Sequence, residues 1–169
     1  IAVTVSPVQF VHRNLIRHVK EALRDPGLEP SRLDIEVTES ALLADNAMTM
    51  EILHQLHALG ARIALDDFGT GYSSLSYLRS FPFHKVKIDR TFVRDISSRP
   101  DSIAIIRGVI ELGRSLGMST AAEGIETEEH LALAREQGCT QVQGSLFSPP
   151  LPASAIETLF AEIGAGSFS

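Results

Sequence analysis

Asp66 and Asp67 are adjacent carboxylates at the end of an apolar run, Arg62-Ile63-Ala64-Leu65, and they lead into Phe68-Gly69-Thr70-Gly71-Tyr72. Two like charges side by side are costly unless something positive sits between them, and a divalent cation is the usual remedy. Other strand-like runs also end in carboxylates: Glu36 and Glu39, Asp89, and Glu123 and Glu126, with Lys87 among them and Thr4 and Gln143 at matching positions. Hard oxygen donors suit Mg²⁺ or Mn²⁺, and the absence of histidine from the set argues against zinc. Two such ions about 3.5–4 Å apart clamp the attacking and leaving oxygens of an in-line phosphoryl displacement. Lys87 would then orient or help deprotonate the attacking water, or stabilise negative charge on the phosphorane.

Taken singly, each residue has a plainer explanation. Asp66 or Asp67 alone reads as a turn or cap residue. Glu36 reads as half of a buried ion pair with Lys87. Glu126, next to Thr127, favours the start of a helix, and Gln143 reads as a hydrogen-bonded amide. Several carboxylates and one lysine at the ends of successive strands outweigh these separate readings.

The elements that must position them alternate along the chain. Strands are expected at residues 2–6, 33–38, 62–66, 85–89, 119–123 and 140–145. Phe10, Leu15, Val19 and Leu23 mark a first helix that stops at Asp25-Pro26-Gly27. Met48, Ile52, Leu56 and Leu59 mark a second, with Asp45 as N-cap and Gly60 as its stop. A short helix is expected over 73–80, another through Ile103, Ile106, Ile110 and Leu116, one capped by Thr127, and a last after Pro152. Repeated strand–helix units imply a parallel sheet, doubly wound or closed into a barrel.

Side-chain parity separates the two. Val3 and Val5, Ile35 and Val37, Ile63 and Leu65, and Val86 and Ile88 share one face, while Thr4, Glu36, Asp66 and Lys87 share the other. A doubly wound sheet is covered on both faces and is apolar on both. One apolar and one polar face fit helices outside and a polar lumen inside, a TIM-like (β/α) barrel. About six βα units in 169 residues fall short of the eight strands and ~250 residues usual for that fold. The expectation is therefore an incomplete barrel, a single domain over 1–169 that is truncated at its N-terminal side.

A net charge of −6 argues against non-specific binding of DNA, but not against a small phosphorylated ligand accompanied by metal. Cys139 is the only cysteine, which suits a reducing cytoplasm and a packed, inert thiol. No apolar run approaches the ~18 residues of a membrane-spanning helix. His54 and His57 lie a turn apart on the second helix, where a solvated face is the expected surrounding.

Glu36-Val37-Thr38-Glu39-Ser40, Asp66-Asp67-Phe68-Gly69-Thr70-Gly71-Tyr72-Ser73-Ser74-Leu75, Lys87-Ile88-Asp89-Arg90, Ala122-Glu123-Gly124-Ile125-Glu126-Thr127 and Gln143-Gly144 resemble the successive motifs of EAL-domain cyclic di-GMP phosphodiesterases. The resemblance runs in register along nearly the whole chain. It implies a bacterial cytoplasmic enzyme that opens cyclic di-GMP to linear pGpG with two Mg²⁺ or Mn²⁺ ions. It also implies that Glu36 and Asp66 are metal ligands, Asp66 bridging the ions, and that Asp67 and Glu123 hold the second ion. Lys87 matches the lysine beside the catalytic water and Gln143 a polar residue of the same site. Glu39 and Glu126 match supporting acids, Glu39 by holding the loop 67–71. That loop resembles a segment linking metal occupancy to dimerisation, so a homodimer is implied, with sensor or regulatory domains upstream in a full-length protein.

Two departures stand out. The Glu-Ala-Leu signature of the first strand is absent; Glu21-Ala22-Leu23 has those letters but falls inside the first helix. Thr4 stands where the family typically has an asparagine ligand, and a shorter, neutral hydroxyl implies weaker occupancy of one metal. Ser145 and Pro149 are smaller changes at the implied substrate rim. The rival readings are a degenerate domain that binds the dinucleotide without cleaving it, and an aldolase-like barrel with Lys87 as a Schiff-base amine.

Overall fold

The computed structural model describes all residues except 12–13, 25–26, 45, 71–77, 79, 98 and 165–169. Asp45 and most of the short helix expected over 73–80 thus lie outside the described residues. The strands are β1 (Ala2–Val5), β2 (Asp34–Thr38), β3 (Arg62–Phe68), β4 (Lys85–Ile88), β5 (Ser119–Glu123) and β6 (Gln141–Gln143). Helices α1 (Pro7–Val11) and α2 (Leu15–Arg24) follow β1, where one helix is expected from sequence. Next come α3 (Glu39–Ala44) and α4 (Asn46–Ala58), then α5 (Arg90–Arg94) and α6 (Pro100–Ser115). Helix α7 (Glu128–Gln137) links β5 to β6, and α8 (Ile156–Gly164) is the last.

All five strand pairings are parallel, and the order across the sheet is the order along the chain. A doubly wound sheet reverses direction at a switch point. Here every crossover adds its strand to the same advancing edge, which is the topology of a barrel wall. Six strands make an open arc, with β1 and β6 at its edges.

The parity seen in the sequence holds on β2, β3 and β4, whereas Val3 on the edge strand β1 is 46% exposed. Ile35, Val37, Ile63, Leu65, Val86 and Ile88 are essentially fully buried, in one apolar cluster with Leu53 and Leu56 of α4 and Ile106 and Ile110 of α6. Period-2 strands meet period-3.6 helices there, so burial of this one face fixes the register of β2, β3 and β4. A smaller cluster joins Val93, Ala122, Ile125, Leu131 and Ala134. The other face carries the long polar side chains, and they have room because alanines flank them: Ala64 is the register partner of Glu36, and Ala121 of Lys87.

Caps follow the expected chemistry. Thr127 accepts a hydrogen bond from the His130 amide at 3.1 Å to start α7, and Gly138 closes it with φ of 91°. Cys139 packs against both apolar clusters, and burial pushes its thiol up to about 11, in keeping with an inert packed group.

The solvated face expected for the histidines holds for His54, which is exposed, while His57 is half-buried. His54 and His57 pack their rings on Phe81, with centroids 5.0 and 6.0 Å away, and His57 also lies 5.2 Å from His84. An aromatic residue more than twenty positions away supplies an apolar partner that a helical-wheel view does not contain. His84 Nδ1 accepts the Ile63 amide proton at 3.1 Å, while the His84 amide donates to the Ile63 carbonyl at 2.9 Å. Burial lowers the His84 pKa below 6.5, and the neighbouring His57 and Arg62 lower it further, against Asp34.

A base whose folded pKa is depressed contributes stability that is present above pH 6.5 and lost as pH falls through the folded value. His84→Asn keeps an acceptor for the Ile63 amide but removes the titration. Urea midpoints between pH 7.5 and 5 are therefore expected to fall less steeply in His84→Asn than in the parent. Parallel slopes would assign the acid sensitivity to other groups.

Candidate metal centre

Lys87 stands on the lumen face of β4, is 4% exposed, and its ammonium meets three carboxylates. Nζ lies 2.9 Å from Glu36 Oε1, 3.0 Å from Asp66 Oδ1 and 2.5 Å from Glu123 Oε1. The three acids come from β2, β3 and β5, so one side chain ties four strands together. An ammonium has three protons and no acceptor, and here three acceptors face it. Burial opposes its charge, but the bonds to Glu123, Glu36 and Asp66 outweigh that and hold Lys87 protonated far above its ordinary range.

Asp66 and Asp67 would point to opposite faces of a regular strand. They do not, because β3 shifts register between Leu65 and Phe68 and Asp67 adopts φ of 53°. A left-handed residue at a bulge re-aims a side chain, and aspartate tolerates that conformation better than most. The Asp67 amide also donates to Asp66 Oδ1 at 3.1 Å. As a result Asp66, Asp67 and Glu123 can each offer an oxygen within 4.8 Å of the others, the only such group of three among the described residues.

Negative charge exceeds what Lys87 balances. Burial pushes the Glu123 carboxyl above the usual carboxylate range; its pairing with Lys87 opposes the rise and the charges of Asp66 and Glu36 add to it. Burial likewise raises Asp67, with Asp66 and Asp89 adding repulsion and Lys87 opposing it. A crowd of hard oxygens with a raised proton affinity fits a divalent cation, which would remove the cost without taking up protons.

The remaining residues fall into place around this group. Thr4, the register partner of Glu36, donates its hydroxyl to Glu36 Oε2 at 3.0 Å. Glu39 is buried at the first turn of α3, directly after Thr38, the register partner of Asp66. Gln143 pairs in register with Glu123 and is exposed on β6. Glu126 lies exposed on the loop between β5 and α7, outside the group of close oxygens. Asp89 completes the neighbourhood; the sequence places it among the carboxylates at strand ends without giving it a role of its own. Its Oδ1 accepts from the Thr91 amide at 2.9 Å and the Thr91 hydroxyl, capping α5, and its charge bears on Asp67. An aspartate two residues before a threonine at a strand end is the signal for that capping role.

The backbone around Glu123 is tightly constrained. The Ile125 amide donates to the Gln143 carbonyl at 3.0 Å and the Leu146 amide to the Ile125 carbonyl at 3.0 Å. Gly144 passes so close that a Cβ there would lie 2.0 Å from the Ile125 oxygen. Its lack of a side chain lets the end of β6 dock on the loop that carries Glu123.

The family model of the EAL domain matches residues 1–150. The chain is 44% identical over 156 residues to the bifunctional diguanylate cyclase/cyclic di-GMP phosphodiesterase MucR of Pseudomonas aeruginosa, covering 92% of this chain and 23% of that protein. A solved complex of the PaMucR phosphodiesterase with c-di-GMP superposes with a TM-score of 0.86 at 44% identity, over 92% of this chain and 63% of that one. BlrP1 of Klebsiella pneumoniae, in a complex with manganese and cy-diGMP, gives 0.82 at 35% identity over 88% and 38%. The curated relatives are much longer, and the chain spans 19% of each of the first two and 23% of MucR.

Two outcomes test this geometry. Lys87→Met is expected to cost about 3–5 kcal/mol at pH 7, because it leaves three carboxylates facing one another; denaturant unfolding measures it, and a loss below about 1 kcal/mol would contradict the pairing. Gly144→Ala is expected to destabilise by at least about 2 kcal/mol through a backbone clash, and an unchanged unfolding midpoint would show that the loop yields.

Proposed function

The chain belongs to the EAL domain family, and from that premise we propose that it is the core of a metal-dependent phosphodiesterase that hydrolyses cyclic di-GMP to linear pGpG. The observation that carries the reading is the convergence of the Asp66, Asp67 and Glu123 oxygens at the mouth of the lumen, with Glu36 and Lys87 beside them. Cyclic di-GMP is named for several relatives, MucR among them, and the solved complexes of PaMucR and BlrP1 contain it.

In this reading Glu36, Asp66, Asp67 and Glu123 would hold two Mg²⁺ or Mn²⁺ ions. When bound, the ions supply Lewis-acid stabilisation and an acidified water at neutral pH. Lys87, its ammonium directed at the three carboxylates, acts as a positive charge that orients groups and favours negative charge. The same protonation removes the nucleophilic amine that an aldolase-like mechanism needs. Glu39 supports the segment after Asp67, and Gln143 offers a neutral amide to the water or substrate beside Glu123. Glu126 supports the loop between β5 and α7 from its exposed position. The linear product keeps its phosphate on a 5′ oxygen, so a water oxygen bonds to phosphorus, the bond from phosphorus to O3′ breaks, and the proton passes to the leaving alkoxide.

The length of the relatives supports one module of a longer cytoplasmic signalling protein, with sensor or regulatory domains elsewhere in the polypeptide. A homodimer through the region that follows Asp67 rests on the resemblance, and most of that region lies outside the described residues. Among the described residues, no helix is long and apolar enough to cross a membrane. One observation favours the non-catalytic receptor instead: Thr4 has no carbonyl oxygen to offer, and its hydroxyl proton is already engaged by Glu36.

The natural polypeptide carrying this chain, incubated with cyclic di-GMP and excess Mn²⁺, is expected to yield pGpG by chromatography and to stop when chelator is added. Asp66→Asn is expected to lower turnover by at least about a hundredfold with the fold retained, since even the loss of a group supporting a metal ligand costs 10–100-fold. Binding of the dinucleotide without product would establish the receptor reading. Near-parental turnover in Asp66→Asn would overturn the metal assignment.

A further inference from the structure

Thr4 and Glu36 lie opposite each other on β1 and β2, facing the lumen from adjacent strands. The Thr4 hydroxyl donates to Glu36 Oε2 at 3.0 Å, while Lys87 Nζ lies 2.9 Å from Glu36 Oε1. Each carboxylate oxygen therefore has its own donor, one on either side. The last torsion of a glutamate is broad and roughly two-fold, so an unpinned carboxylate samples many orientations. Two donors at opposite oxygens fix the carboxylate plane. Threonine suits the task because its β-branch stiffens χ1, and the strand aims its hydroxyl without a flexible linker.

We propose that Thr4 is a positioning residue, which orients Glu36 through this hydrogen bond and is not itself a metal ligand. Glu36 needs such a partner more than its neighbours do. Asp66, Asp67 and Glu123 already bring their oxygens within 4.8 Å of one another, and Glu36 stands outside that group. A hydroxyl that has committed its proton to a carboxylate directs that carboxylate's free lone pairs, and a neutral oxygen adds little beside four acids. On this view the threonine exchanges a weak direct ligand for a better-aimed glutamate. The metal arm of the test rests on the metal reading above; the other arm does not.

The first measurement needs no metal. In the metal-free natural polypeptide, the Glu36 side-chain carboxyl carbon resonance, identified by its loss in Glu36→Gln, is expected to shift in Thr4→Val and to stay close to the parent in Thr4→Ser. Valine matches threonine in shape and strand preference, so the comparison isolates the hydroxyl. An unmoved resonance in Thr4→Val would overturn the proposal. The second measurement is a double-mutant cycle on Mn²⁺ affinity, by calorimetry. Thr4→Val is expected to weaken Mn²⁺ binding about tenfold in the parent, the scale of groups that orient a metal ligand, and to have no effect when Glu36 is already glutamine. An equal loss in both backgrounds would make Thr4 a ligand in its own right and overturn the proposal, as would no loss in either. A parent that binds no Mn²⁺ at all would refute the metal reading, leaving the carboxyl resonance to decide the role of Thr4.

Discussion

The contact of the Lys87 ammonium with Glu36, Asp66 and Glu123 is the constraint on which the rest of this molecule depends. Bringing three acids together in a lumen is unfavourable from both burial and repulsion, and one buried cation offsets only part of that. The geometry is possible because the neighbours of these long side chains on the same face are alanines. It holds because the opposite face of each strand is sealed against helices by Ile35, Val37, Ile63, Leu65, Val86 and Ile88. The apolar layer sets register, and register delivers the charges to one place.

The imbalance that remains carries the functional meaning. Structural ion pairs tend toward neutrality, yet here the acid affinities of Glu123 and Asp67 for protons are raised even with Lys87 present. Surplus carboxylates converging at strand ends fit the further cation of the proposed function. The bulge in β3 belongs to the same arrangement. A left-handed Asp67 interrupts regular pairing, and the compensation is that adjacent aspartates turn toward the same space.

Much of the fold was legible because its signals are local or periodic. Alternation of two along the strands and the strict order of strand and helix implied a polar-lumened barrel wall, and the sheet has that order without a reversal. Glu36, Asp66, Asp67, Lys87 and Glu123 stood out in the sequence because they fall at the ends of successive strands, and the fold brings them together. The surroundings of His54 and His57 were not legible, since Phe81 reaches them from a segment outside their helix. Asp89 stood among the strand-end carboxylates but took no role from the sequence, because its capping of α5 already accounts for it locally.

By itself the sequence determined which face of each strand is apolar, which acids and which lysine stand at the strand ends, and the family to which they belong. These follow from residue type and spacing over a few positions, where strand and helix geometry leave little choice. Only the tertiary structure decided which partner each group takes. That Lys87 bonds three acids and not Glu36 alone, that Asp67 turns back beside Asp66, and that Thr4 gives its proton to Glu36 depend on register between strands more than thirty residues apart in several cases. Such choices are made by distances of a few tenths of an ångström between polar atoms, and no one-dimensional pattern contains them.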